Sequence, residues 1–576
     1  MALQHEIVCP TNSCSSTNPR ESLIERRLTV HRLLYRTLNH VILSGFRSAA
    51  REFEHALAEP EQPQRQILLQ LLERNANSLY GKKHGFASIR SVQEYQQRVP
   101  VVSYDDLAPW VERIKTGEAG VLTTKPVLMF EKSSGSASAA KYIPYTRTLQ
   151  AQFRSALGPW ITDMYRSFPG LDDGSAYWLV TPLSRERETT VAATPVGFES
   201  DTEYFSPVAR WILRKAAATP PELARVANLE SCIYLTLLYL LQARSLTFIS
   251  VWNPSFLLIL LEKLEHYGDR LVRDLVNGRT ESPLLPVVAR SLRRDAYQAE
   301  KLKAMLRRGC IETAVVWPHL RLISCWTSAE SARVVPEIKQ RFPGVAIQGK
   351  GLLATEGVVS IPIETYEGCV AAVTSHFLEF IDDSGNCRLI SELEEGATYS
   401  VLLTTGGGLW RYKLGDQVKV KGFAKRTPIL EFLGKEDCVS DLRGEKINAF
   451  FVANVLADFD SCRSATFAML APSDAAIPHY TLFLESPLCK LDLAHRIDEQ
   501  LQANPHYAYC RRLGQLGELH LFRVRQGARE AFLKHCEALG QRAGAVKFVS
   551  LSKRAGWERV FEGNYVPAEH MAEVCA

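Results

Sequence analysis

A chain of 576 residues is too long for a single compact core and suggests about three or four domains. Its 46% hydrophobic and 23% charged residues are the balance of a folded globular protein and exclude a disordered chain. The 68 basic and 63 acidic side chains leave a net charge of only +5, with no concentrated basic stripe of the kind nucleic-acid binders carry.

Residues 1–20 are rich in Ser, Asn and Thr and read as a loose tail. Glu6 and the lack of an apolar run argue against a secretory signal. The 13 cysteines form no CxxC pair and no zinc spacing, so they read as thiols in a reducing, cytoplasmic setting. Residues 22–72 carry Leu, Ile and Phe at helical spacing, with an interruption expected at 60–64. Residues 121–124 and 127–130 read as strands, and the second runs into a loop of small residues. Residues 143–345 mix helices and strands. Strands are expected at 177–180 and 320–326, and buried helices at 232–243 and 256–264. The most apolar stretch, 233–241, is far short of the roughly 20 residues a membrane span needs.

From 345 to 363 two strand-like runs flank the segment 351–357. Residues 369–381 and 398–405 alternate as strands do, and a Gly406-Gly407-Gly408 turn follows. Near Gly434 the texture changes to a small α+β unit, with helices expected at 450–459, 491–504 and 529–539 and strands at 465–470, 480–484 and 518–524. The expected organisation is a tail (1–20), a large α/β unit (21–433) and a smaller α+β unit (434–576).

Four local clusters carry possible chemistry. Ser133-Ser134-Gly135-Ser136-Ala137-Ser138-Ala139-Ala140-Lys141 follows a strand. Small side chains let backbone N–H groups approach phosphate, hydroxyls add donors, and the Lys adds charge. It is not a Walker loop, and a plain Ser/Ala surface loop has the same composition. Thr355-Glu356 lies among apolar residues, where a carboxylate needs either a hard cation or an arginine partner. Asp416, after Arg411-Tyr412-Lys413-Leu414-Gly415, can grip a ribose diol or cap its own turn. Gly434 to Ile447, with Asp437 near its start, suits a hinge or an ordinary linker.

In this order the four clusters resemble the adenylate-forming acyl and aryl ligase superfamily. More narrowly, they resemble the Gretchen Hagen family of acyl acid–amido synthetases, the auxin-responsive type, in its bacterial form. Weaker similarities, among them residues 75–86, Trp252-Asn253-Pro254, Trp317-Pro318 and 376–380, extend the likeness over roughly residues 30–576. Two positions depart from the superfamily pattern: Ser138 stands where a second loop glycine is usual, and Leu352 where an aromatic stacks on adenine.

The resemblance implies ATP and Mg²⁺, a small-molecule carboxylic acid activated as acyl-AMP, and transfer of the acyl group to an amine. It assigns Ser133, Ser134, Gly135, Ser136 and Lys141 to the phosphates, with Tyr412 beside the nucleotide. Thr355 falls to the α-phosphate, Glu356 to the metal and Asp416 to the ribose. The carboxy-terminal unit is the implied lid, with Asp437 at its pivot and Lys547 as its catalytic lysine (Lys553 in reserve). Phe205, Trp252, Trp326 and Phe377 are candidates for the acyl pocket, with plain core as the alternative for each. A thiol acceptor such as coenzyme A, or a binding protein that kept the fold, fits the same motifs. No nucleic acid or membrane partner is expected, and monomer and homodimer both stay open.

Overall fold

The computed structural model describes residues 19–133, 141–179, 188–197, 207–226, 228–280, 292–436, 439–473, 475, 477–488, 490, 492–539, 541 and 546–567. The amino-terminal helical pattern becomes two helices, α1 (Pro19–Ala56) and α2 (Glu61–Asn75). The break comes at 57–60, slightly ahead of the expected one. There the Leu57 carbonyl accepts from Arg426 N–H and the Thr427 hydroxyl, far along the chain. Pro63 instead sits in the first turn of α2, where a missing N–H costs nothing.

Residues 121–124 do not form the expected strand. Val121 and Leu122 are apolar because they are buried, but their backbone serves other segments. Val121 O accepts from Tyr80 N–H, Leu122 O from the Trp410 indole, and Thr124 N–H donates to Asn75 Oδ1. The next predicted strand does form. It is β1 (Met129–Ser133), antiparallel to β2 (Lys141–Tyr145), with Ser133 opposite Lys141. Helix α3 (Arg147–Ser167) follows at once, capped by the Thr146 hydroxyl.

Four parallel strands then build a sheet in sequence order: β3 (Ser175–Trp178), β4 (Leu246–Ser250), β5 (Leu322–Cys325) and β6 (Ala346–Gly349). Every residue of β4 is buried, as expected of a parallel strand covered on both faces. Helix α4 (Leu229–Gln242) is buried at every position from Cys232 to Leu241, which explains its uninterrupted apolar run. Helix α5 (Pro254–His266) is Asn-capped and equally apolar along most of its length.

Strand β6 leads through the 351–357 turn into β7 (Ser360–Ile363), the first strand of a seven-stranded antiparallel sheet. The others are β8 (Gly368–Ala371), β9 (Phe377–Ile381), β10 (Cys387–Arg388), β11 (Thr398–Thr404), β12 (Tyr412–Ala424) and β13 (Thr427–Lys435). The spatial order is β10-β9-β11-β12-β13-β8-β7. The expected single strand at 369–381 is therefore two strands in different parts of the sheet. Buried Gln64 of α2 makes the break possible: its amide donates to Val373 O and His376 O and accepts from Leu378 N–H.

Beyond Lys435 the chain forms α6 (Ala449–Ala457), β14 (Phe467–Pro472), β15 (Tyr480–Glu485), α7 (Leu493–Leu501), β16 (His520–Val524), α8 (Ala528–Ala538) and β17 (Gly563–Tyr565). One face of this four-stranded sheet packs Leu470 and Leu482 against Leu456 and Ile497. The other puts Phe467, Phe483 and Phe522 into the same core as α4 and α5. Arg529 adds ion pairs across that contact, to Glu337 at 2.8 Å and Glu262 at 3.5 Å. This mixed α/β architecture is the expected one. No helix among the described residues is long and apolar enough to cross a membrane, and no disulfide joins the described cysteines.

Candidate active site

The small-residue segment runs between β1 and β2 in the chain. Ser134, Gly135, Ser136 and Ser138 lie outside the described residues, as does the Ser133 side chain. The hairpin's strands fix the two ends of the segment, and its terminal Lys141 is placed. Lys141 Nζ donates to Tyr412 Oη at 3.4 Å and lies 5.9 and 6.0 Å from the ring centroids of Tyr104 and Tyr412.

Tyr412 is fully buried at the start of β12. Burial pushes its phenol pKa up, and the charges of Glu356 and Asp416 push it further. Tyr104 is also shifted upward by burial, and the Glu356 charge adds to the shift. Charges carried by segments far apart in sequence thus act on one phenol, which also meets the Lys141 ammonium.

Thr355 and Glu356 form the tip of a tight turn. Ala354 N–H donates to Gly357 O at 3.0 Å and Gly357 N–H to Ala354 O at 3.2 Å. The Tyr145 hydroxyl of β2 donates to Thr355 O at 2.6 Å, tethering the turn to the hairpin that bears the loop. Glu356 is 6% exposed. Among the described residues its carboxylate has no hydrogen bond or ion pair. A buried carboxylate in that state calls for a cation or a donor from outside.

Asp416 is 3% exposed, and β12 is bulged beneath it. Ser400 faces Gln417 and Leu402 faces Lys413, so two steps of β11 span four of β12, and Gly415 supplies the φ of +79°. Such a bulge re-aims a side chain, here the carboxylate that the Tyr412 phenol senses. Arg411 is structural. Its guanidinium ion-pairs with Glu379 at 3.1 Å and donates to Gln96 O and Val99 O at 2.8 Å each, anchoring the start of β12.

The Gly406-Gly407-Gly408 turn holds β12 against the hairpin. The Thr146 hydroxyl donates to Gly406 O at 2.7 Å, and a Cβ on Gly407 would stand 2.6 Å from Pro144 O. Close backbone approach therefore demands glycine here.

Lys547 is not brought into this cluster. It is exposed, with Nζ 4.2 Å from the Trp326 ring centroid just beyond β5 and 5.8 Å from that of Phe432. Asp437 and Phe205 lie outside the described residues. Trp252 and Trp326 meet at 5.5 Å past the carboxyl ends of β4 and β5, whereas Phe377 packs in the antiparallel sheet against Tyr95 at 6.0 Å. Between the tryptophans and α3 lies Lys350. It is 6% exposed, donates to Ser250 Oγ and stands 5.0 Å from the Trp252 ring centroid and 5.1 Å from that of Trp160. Sequence reasoning missed Lys350 and Tyr104. Their partners come from remote segments, and only the apolar surroundings of Lys350 hinted at it.

Family models match the chain in three consecutive stretches: the GH3 family N-terminal domain at 49–347, the central domain at 369–435 and the C-terminal domain at 451–555. The chain belongs to the GH3 family. A rice (Oryza sativa subsp. japonica) relative named "Probable indole-3-acetic acid-amido synthetase GH3.12" is 25% identical over 585 residues, covering 89% of this chain and 95% of its own. The Arabidopsis thaliana "Indole-3-acetic acid-amido synthetase GH3.4" is 22% identical over 466 residues, covering 76% of each. Two solved structures of a GH3.15 acyl acid amido synthetase, the second in complex with 2,4-DB, superpose with TM-scores of 0.78 and 0.80. They are 19% and 18% identical and cover 90% and 91% of this chain and 96% and 97% of theirs. The GH3 fold thus extends over nearly the whole molecule. The Lys141, Thr355-Glu356 and Tyr412–Asp416 cluster lies where its N-terminal and central stretches meet.

Proposed function

We propose that this chain is an ATP-dependent acyl acid–amido synthetase, an adenylate-forming ligase. A substrate carboxylate oxygen attacks the α-phosphorus of ATP, the bond to pyrophosphate breaks, and acyl-AMP forms. An amine nitrogen then attacks the acyl carbon, AMP leaves and the nitrogen loses a proton. The observation that supports this reading is Tyr412: it accepts from Lys141, and its phenol pKa is raised by burial and then by the charges of buried Glu356 and buried Asp416, beside a turn tethered through Thr355 O to Tyr145 of β2.

In this reading the hairpin loop, through Ser133, Ser134, Gly135 and Ser136, holds phosphate oxygens with Lys141, and Thr355 bonds the α-phosphate. Asp416 accepts from the ribose hydroxyls, and Tyr412 orients Lys141. Mg²⁺ fits the residues present, because Glu356 offers a buried carboxylate without a protein hydrogen bond and hard cations take oxygen ligands. When bound, the cation supplies positive charge against the polyphosphate oxygens. Trp252, Trp326 and Lys350 form one wall of the acid pocket, which suits an aryl or indole acid. The domain boundary falls near Gly434, with the carboxy-terminal unit as a lid that excludes water from the adenylate and brings up Lys547. The four clusters follow the bacterial form of the family.

The test is ATP–pyrophosphate exchange across aryl, indole and fatty acids, followed by amino acids or a thiol added to the preformed adenylate. Acid-dependent exchange and an amide product are expected. A thioester in place of the amide would transfer the assignment to a thiol ligase, and no exchange with any acid would favour a binding protein.

A further inference from the structure

His376 lies in the break between β8 and β9 and is 0% exposed. Among the described residues neither of its ring nitrogens has a hydrogen-bond partner. A neutral imidazole carries one N–H donor and one acceptor, and burying both unpaired lowers stability. An apolar ring of similar size would avoid that cost, so a buried orphan of this kind asks for an explanation in function.

Its neighbours supply one. The Phe153 ring flanks it at 5.7 Å, and on its other side is Gly357. A Cβ at 357 would lie 3.0 Å from His376 Nε2 and 3.1 Å from Cδ2, so the ring edge abuts the backbone that closes the Thr355-Glu356 turn. The turn is held on one side by the Tyr145 hydroxyl through Thr355 O, while on the side of His376, among the described residues, it has contact without a hydrogen bond.

We propose that His376 is a positioning residue for adenylation: its ring pairs with the 356–357 backbone when the turn tightens on the nucleotide, setting Thr355 and Glu356 for reaction. This rests on the reading of the turn as part of the nucleotide site. The orphan group is then a stored cost, recovered only in the liganded enzyme.

The test compares wild type, His376→Phe and His376→Gln in the full chain. It measures the urea midpoint without ligand, and kcat and KM for acid-dependent ATP–pyrophosphate exchange. For His376→Phe, the expected results are an unchanged or higher urea midpoint, an exchange kcat at least tenfold lower and an unchanged KM for the acid. His376→Gln, which keeps a donor and an acceptor, recovers part of the rate. A His376→Phe enzyme with wild-type kcat overturns the role. So does a loss of kcat that His376→Gln fails to relieve, which marks simple packing. If the phenylalanine does not fit, His376→Leu carries the same comparison. Absent exchange in the wild type would overturn the reading of the site itself, and this role with it, whereas an active wild type beside an equally active variant would overturn the role alone.

Discussion

Glu356 and Asp416 are both buried carboxylates whose charges raise the pKa of one tyrosine, yet the loss of each has a different expected consequence. Glu356 has no protein partner among the described residues and stands on a tethered turn, so its charge faces whatever enters from outside. Glu356→Ala is expected to leave the melting temperature within a few degrees and to lower exchange by about a hundredfold or more, the scale of removing one preorganised charge-stabilising group. Asp416 is aimed by a bulge and a positive-φ glycine. Asp416→Ala is expected to raise the KM for ATP by roughly tenfold to a hundredfold with little change in kcat, since a hydrogen bond to a charged group contributes about 1.5–3 kcal/mol. Steady-state kinetics in ATP separates the two. His376 makes a further claim through pH. Its ordinary pKa of 6.5 is lowered by burial to about 3 in the folded chain. Below pH 6.5 unfolding therefore takes up a proton, and stability falls with falling pH by about 1.4 kcal/mol per unit until the folded value is reached. Between pH 7.5 and 5 the wild type should lose about 2 kcal/mol more than His376→Phe, as read from urea unfolding at the two pH values.

At the scale of elements, what the sequence disclosed was local. The helical spacing before Ala56, the all-apolar α4, the first hairpin strand and the turn at 351–357 are written in neighbouring residues, whereas β2 (Lys141–Tyr145) was not anticipated. The 121–124 segment was misread because burial alone made it apolar, while its backbone donors and acceptors went to Tyr80, Trp410 and Asn75. The break after β8 was invisible because Gln64, more than 300 residues earlier, satisfies it. The clusters at 351–357 and 411–416 stand out in the sequence, but that the charges of Glu356 and Asp416 both raise the pKa of Tyr412 depends on packing. The triple-glycine turn is the element that enforces this packing, so Gly407→Ala, with its Cβ 2.6 Å from Pro144 O, is expected to destabilise by about 1–3 kcal/mol. Chemical denaturation measures that loss, and an unchanged midpoint would show that the turn can relax away from the hairpin.

At the scale of the molecule, the parallel sheet, the antiparallel sheet and the carboxy-terminal sheet share two large cores, and the proposed lid is docked through Phe467, Phe483 and Phe522 and through Arg529. A lid that rotates must release part of this contact. Arg529→Met is therefore expected to loosen the docking and speed limited proteolysis between 436 and 447, with the amino-terminal unit left intact. Everything else depends on whether the Tyr412-centred cluster is where ATP reacts. The most direct measurement is acid-dependent ATP–pyrophosphate exchange in the wild type beside Glu356→Gln, with melting temperatures recorded for both. The account predicts exchange in the wild type with at least one carboxylic acid and a loss of about a hundredfold or more in a variant that melts normally. Equal exchange in the two proteins would contradict it.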